Sequence, residues 1–208
     1  MKSRRRKAVS NKQKKPIRRR STAYSSGFTL IETMVAVSIL ALAIAGPMYV
    51  AGRSIVYAQI ARDELIAVSL AQEGIEFVRR MRDNSYLFAY RQGGSTVSAT
   101  AWNNFTSGGS LYGTNPSIYG CAPPAKCTLD PLDTGLRQYS ESANVPMLYL
   151  DSSGKYNQRF IGTATPFKRT IQATAISPTD ELIVSTVSWT FRGTSYTVSA
   201  RDHLTPWQ

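Results

Sequence analysis

GFTLIETMVAVSILALAIAGPMYVAG, residues 27–52, is the stretch on which the reading of this chain turns. From Phe28 to Gly52 it holds one charged residue, Glu32, among Leu, Ile, Val, Ala and Met. Roughly twenty such residues, each rising about 1.5 Å, cover the ~30 Å hydrocarbon core of a bilayer, so this segment can span one as a helix. A carboxylate at the centre of such a helix costs roughly 3 kcal/mol on insertion scales. Glu32 lies only about a turn from the start of the span and can reach the interface. Gly46 and Pro47 mark a weak point late in the span, because Pro47 cannot donate to the carbonyl of Ala43. Either the helix loosens there or neighbouring helices compensate.

The formal net charge of +12 suggests an anionic partner if it is evenly spread. It is concentrated instead. Lys2, Arg4, Arg5, Arg6, Lys7, Lys12, Lys14, Lys15, Arg18, Arg19 and Arg20 precede Gly27 with no acid among them. That leaves 14 basic residues against 13 acids in the rest of the 208-residue chain. A basic block directly before an apolar span holds the N-terminus in the cytoplasm. The near-neutral remainder argues against DNA binding by simple electrostatics. A secretory signal peptide has a shorter basic region and a small-residue cleavage site, for which the region near Ala45 is the candidate here.

The basic leader, the polar patch ending in Gly27 and the sequence Gly27-Phe28-Thr29-Leu30-Ile31-Glu32 together resemble the type III signal of type IV prepilins and the related pseudopilins. The resemblance is specific over about Gly27 to Ala51. It implies a leader, residues 1–27, that prepilin peptidase removes by cutting after Gly27. It also implies N-methylation of Phe28 and an assembly role for Glu32, which guides subunits into a fibre. The implied partners are other pilin subunits, the inner-membrane pilus assembly machinery and membrane lipid, with no small-molecule substrate and no cofactor. The implied location is the cytoplasmic membrane, N-terminus inside and head outside, then a pilus or pseudopilus. Residues 31–40, with Ala71-Gln72-Glu73-Gly74-Ile75-Glu76 and Arg82-Asp83-Asn84, look most like PilV-type minor pilins. Minor pseudopilins of type II secretion are the neighbouring resemblance. A different reading is an uncleaved single-pass membrane protein with a basic cytoplasmic tail.

Past the assembly segment, residues 28–52, the pattern becomes amphipathic. Ala61, Leu65, Val68, Ala71, Ile75 and Val78 recur at steps of three and four. This predicts that the helix continues through residues 53–83, to about Arg82, with Asp83-Asn84-Ser85 as its exit. Residues 84–145 read as a loop-rich region punctuated by glycine and proline, with some short elements inside it. Residues 146–208 read as an antiparallel sheet and a tail. The expected strands are Pro146 to Leu150, Arg159 to Gly162, Lys168 to Ile176, Leu182 to Phe191 and Tyr196 to Arg201. The fold class is α+β and pilin-like: a long N-terminal helix packed on an antiparallel sheet of about four strands. Trp207 is expected to fold back over a sheet edge.

Cys121 and Cys127 have five residues between them, close enough to bridge if the head lies in an oxidising compartment. Their spacing to the single histidine, His203, does not make a zinc module, so no metal is expected. Asp130 and Asp133 are too few for a calcium site, and turn formation explains them. Tyr86, Tyr90, Tyr112, Tyr119 and Tyr139 are expected mainly to pack. With no phosphate loop, no His-Glu-x-x-His and no Gly-x-Ser-x-Gly, the chain reads as a structural protein and not an enzyme.

Overall fold

The computed structural model describes residues 27–93, 96–108, 117–131, 135–139 and 145–206. The basic leader, Tyr112, Asp133 and Trp207, on which expectations were placed, lie outside the described residues, as does the side chain of Tyr139. In chain order the elements are helix α1 (Leu30–Gln92), helix α2 (Val97–Ser107) and seven strands. The strands are β1 (Lys126–Leu129), β2 (Leu136–Tyr139), β3 (Met147–Leu150), β4 (Tyr156–Asn157), β5 (Thr163–Ser177), β6 (Asp180–Phe191) and β7 (Thr194–Leu204). All pairings are antiparallel, so the α+β architecture of a long helix on an antiparallel sheet is the one observed.

By its contacts the chain divides between Ala51 and Gly52. In the first unit every described side chain from Gly27 to Ala51 is exposed. The second unit is built on the meander of β5, β6 and β7, whose register pairs Ile171 with Ser185 and Val187 with Val198. β1 and β3 both pair with β5, while β2 and β4 extend them. Among the described residues the sheet thus has seven strands and not about four, because β1, β2 and β4 are two to four residues long and too short to show a period of two. On β6 the parity expected to be apolar does face inward, with Ile183, Ser185, Val187 and Trp189 buried.

Four expectations are corrected. The buried stripe of α1 shares Ala71, Ile75 and Val78 with the anticipated one but turns away from its earlier half: Ala67, Leu70, Gly74, Phe77 and Met81 are buried as well, whereas Ala61 is exposed and Leu65 is 71% exposed. The helix also runs ten residues past Arg82. Ser85 Oγ donates to Met81 O, which satisfies the hydroxyl inside the helix, and Tyr86 and Ala89 pack against Ala101 of α2. The helix stops at Gly93, whose φ of 72° suits glycine and no β-branched residue. Third, Arg159 to Gly162 is no strand. The Asn157 side chain donates to Tyr149 O and Ile161 O and accepts from Arg159 N, wrapping the chain into a loop that leaves Phe160 at φ 60°. Fourth, Tyr90 and Tyr119 are exposed, so of the described tyrosines singled out only Tyr86 packs in the core.

α2 lies within the region expected to be loop-rich. Ala101, Trp102 and Phe105 bury one face, and Trp102 Nε1 donates to Pro178 O at 2.8 Å, tying the helix to the β5–β6 turn. Cys121 and Cys127 form a disulfide. The loop it closes is stitched to the sheet, since Ala173 N donates to Cys121 O and Cys127 pairs with Ile171. Closing so short a loop contributes about 2 kcal/mol by chain entropy.

Helix and sheet meet most closely at Gly74. A Cβ there would run into Ser185 Oγ and lie 2.9 Å from Ile171 Cδ1. Beside this contact the guanidinium of Arg169, on β5, is fully buried. Its Nη1 donates to Leu70 O at 3.0 Å and pairs with the Glu73 carboxylate, and its Nη2 reaches Leu129 O at 3.5 Å. Burial presses its pKa downward and Glu73 opposes that shift. Asp130, also buried, pairs with Arg159 at 3.1 Å instead of facing a turn.

Two outcomes follow from this contact. Gly74→Val is expected to destabilise the head by about 2–3 kcal/mol through overpacking, read by denaturant unfolding of the full chain in detergent. Glu73→Gln leaves the buried Arg169 charge with Asp130 as its remaining acid and is expected to cost about 2–3 kcal/mol, discounted because the Glu73 side chain is 42% exposed. Arg169→Met removes the charge itself and should cost less; an equal or larger loss for Arg169→Met would refute the argument.

Candidate functional site

The residues that carry the signal chemistry sit at the start of α1. Gly27, Phe28 and Thr29 precede the helix, and Glu32 lies in its first turn. Thr29 is the cap: its Oγ1 accepts from Glu32 N at 3.3 Å, and its carbonyl accepts from Thr33 N at 3.1 Å. An acid in the first turn also meets the positive end of the helix dipole. The sequence reading assigned Glu32 but passed over Thr29. The pattern that would have found it is Ser/Thr-x-x-Glu directly before an apolar run, here Thr29-Leu30-Ile31-Glu32. A further hydroxyl is absorbed inside the helix, where Thr33 Oγ1 donates to Leu30 O at 2.8 Å.

Phe28 is 77% exposed, and Ile31, Val35 and Ile39 around Glu32 are exposed as well. Mean hydropathy reaches 2.1 over an 18-residue window of α1 of which none is buried. Among the described residues one helix is therefore long and apolar enough to cross a membrane. α1 is assigned as helix straight through Gly46 and Pro47, and nothing lies within 4 Å of a Cβ placed on Gly46. The structure thus brings Gly27, Phe28 and Glu32 to one helix start and places Gly46 and Pro47 about four turns further on. The disulfide pair belongs to the other unit.

Among the described residues no group of three or more His, Cys, Asp or Glu gathers as a metal site would require. His203 pairs through Nδ1 with Asp180 at 2.9 Å on the surface.

Residues 22–46 match the family model for the prokaryotic N-terminal methylation motif. No curated protein and no solved structure gives a significant match to the chain. The chain therefore carries a signal of the type IV prepilin kind on an apolar N-terminal helix, as a pilin or pseudopilin precursor does.

Thr29→Ala is expected to remove about 1 kcal/mol of capping and fray the first turn. The check is hydrogen exchange in micelles: the amides of Glu32 and Thr33 should exchange faster, while those of β6 stay unchanged.

Proposed function

We propose that the chain is a structural subunit of a type IV pilus or a related filament. It is inserted in the cytoplasmic membrane as a prepilin, cleaved after Gly27, N-methylated at Phe28 and assembled through α1. The observation that carries this reading is the coincidence of the methylation motif with an apolar helix segment that is exposed at every described residue to Ala51. Apolar surface on that scale is stable only in lipid or against neighbouring helices, and a filament subunit uses the two in succession.

In this mechanism the basic leader keeps the N-terminus in the cytoplasm and the head outside, where the Cys121–Cys127 pair forms. Cleavage frees the Phe28 amine. Glu32 then accepts a charge-assisted hydrogen bond from the Phe28 amine of a neighbouring subunit, which sets the axial register. The contact strengthens as packing excludes water. Gly46 and Pro47 give the helix a place to unwind as the subunit leaves the bilayer. Prepilin peptidase, other pilin subunits and the inner-membrane assembly machinery are the partners. The residues at 31–40, 71–76 and 82–84 favour a PilV-type minor pilin within this class, with a minor pseudopilin of type II secretion next.

The test is N-terminal mass spectrometry on protein from membranes and from sheared surface material. A chain beginning at methylated Phe28 is expected. An intact Met1 in every fraction refutes the proposal and favours an uncleaved membrane protein with a basic tail. Glu32→Leu should still be cut but should reach the sheared fraction roughly tenfold less or worse, the loss of one charge-assisted contact of about 1.5–3 kcal/mol.

A further inference from the structure

The inner face of the sheet ends, beyond the core, in an acid that the head does not neutralise. Glu181 opens β6 opposite Ala175 of β5 and Leu204 of β7, on the face that carries Ile183 and Ser185. It is only 9% exposed, and no donor or cation among the described residues meets its carboxylate. Its neighbour Asp180 is engaged by His203 and adds negative charge. Burial first, and then Asp180, push the Glu181 carboxyl above its ordinary value. The chain between α2 and Ser117, residues 109–116, contains no charged residue that could pair with it.

Glu181 lines a cleft of about 490 Å³ between α2, the disulfide loop and the sheet. Ala122 of that loop and Ala173 and Ala175 of β5 make its walls small and apolar, and Tyr119 stands at it 72% exposed. Thr106 of α2 also lines it; its Oγ1 donates to Trp102 O and keeps lone pairs free to accept. A carboxylate on a largely buried residue, disfavoured in its charged form by that burial and by Asp180, is stabilised by a cation that enters the cleft it lines. The cleft has the size of a small-ligand site, and its acceptors are few. A guanidinium would bring five donors and leave most of them unmet, whereas a primary ammonium on an alkyl stem fits the alanine walls, the carboxylate and the ring face.

We propose that this cleft binds a primary alkylammonium group, either a free alkylamine or the side chain of a lysine. The binding is a property of the head and does not require cleavage or assembly. The test uses the full chain in detergent micelles, titrated with n-butylammonium and with N-acetyl-lysine amide. The readouts are the NMR shifts of the Ala173 and Ala175 methyls and the Glu181 carboxyl carbon.

Saturable shifts are expected. Glu181→Gln should weaken them at least about tenfold, with the disulfide and the thermal midpoint retained. Tyr119→Ala, at an exposed position, should weaken them about threefold. Saturation by both probes shows that a free amine suffices, and saturation by the lysine amide alone assigns the site to a side chain; either supports the proposal. No saturable shift, equal affinity of Glu181→Gln and the native chain, or equal saturation by n-butanol overturns it.

Discussion

The approach of α1 to the sheet at Gly74 is the constraint on which the head depends. With no side chain at that position, the helix backbone can lie on Ser185 and Ile171, and the neighbouring turns then drop Leu70, Ala71, Phe77, Val78 and Met81 into the interior. Each fully buried large apolar side chain contributes about 1.5–3 kcal/mol relative to exposure, so the glycine acts mainly through what it lets its neighbours reach. The same closeness explains Arg169. A charge inside a sheet–helix interface is tolerable only where backbone carbonyls and a carboxylate surround it. Leu70 O, Leu129 O and Glu73 do so because the helix is near enough.

From that contact the two core clusters divide the work of holding the sheet. Toward the early part of the buried helix, Phe167 and Trp189 pack with Leu148, and Trp189 stacks on Tyr196 at 5.4 Å between centroids. Further along, Ile75, Val78 and Met81 meet Phe105 of α2, Leu129 of β1 and Ile171 of β5. The disulfide lies within this second cluster, with both cysteines buried, so the bridge clamps a loop directly onto β5 where few apolar side chains would hold it.

What the sequence made legible follows from the strength of local signals. The apolar run after Gly27 is free of charge but for Glu32, and β5 to β7 alternate over their central residues, so helix and meander were readable from composition and period. The rotation of the buried stripe was not. Leu65 and Val68 fit a helical period as well as Leu70 and Phe77 do, and only the position of Gly74 against Ser185 selects the face. The end of α1 was misplaced because Asp83-Asn84-Ser85 has the composition of an exit, whereas the packing of Tyr86 and Ala89 on α2 overrides it. α2 carries Ser, Thr and Asn throughout, residues of modest helix propensity, and its Val97, Ala101, Trp102 and Phe105 spacing was a fainter signal. Thr29, by contrast, was readable as the first residue of a capping pattern and was overlooked beside the charge of Glu32.

The division of the chain at Ala51 and Gly52 has a consequence for where each part draws its stability. The second unit buries its own apolar residues and closes its own disulfide, so its folding is accounted for within the chain. The first unit buries none of its described side chains, and Phe28, Leu30, Ile31, Leu42 and Met48 are among those left bare. An isolated helix in water gains little from propensity alone, so this segment's order must come from a surrounding apolar phase. The carboxylate at its first turn is then the one charged side chain that such a phase must accommodate. In the proposed filament, one donor on a neighbouring helix that met Glu32 would fix a register that apolar packing alone leaves free to slide.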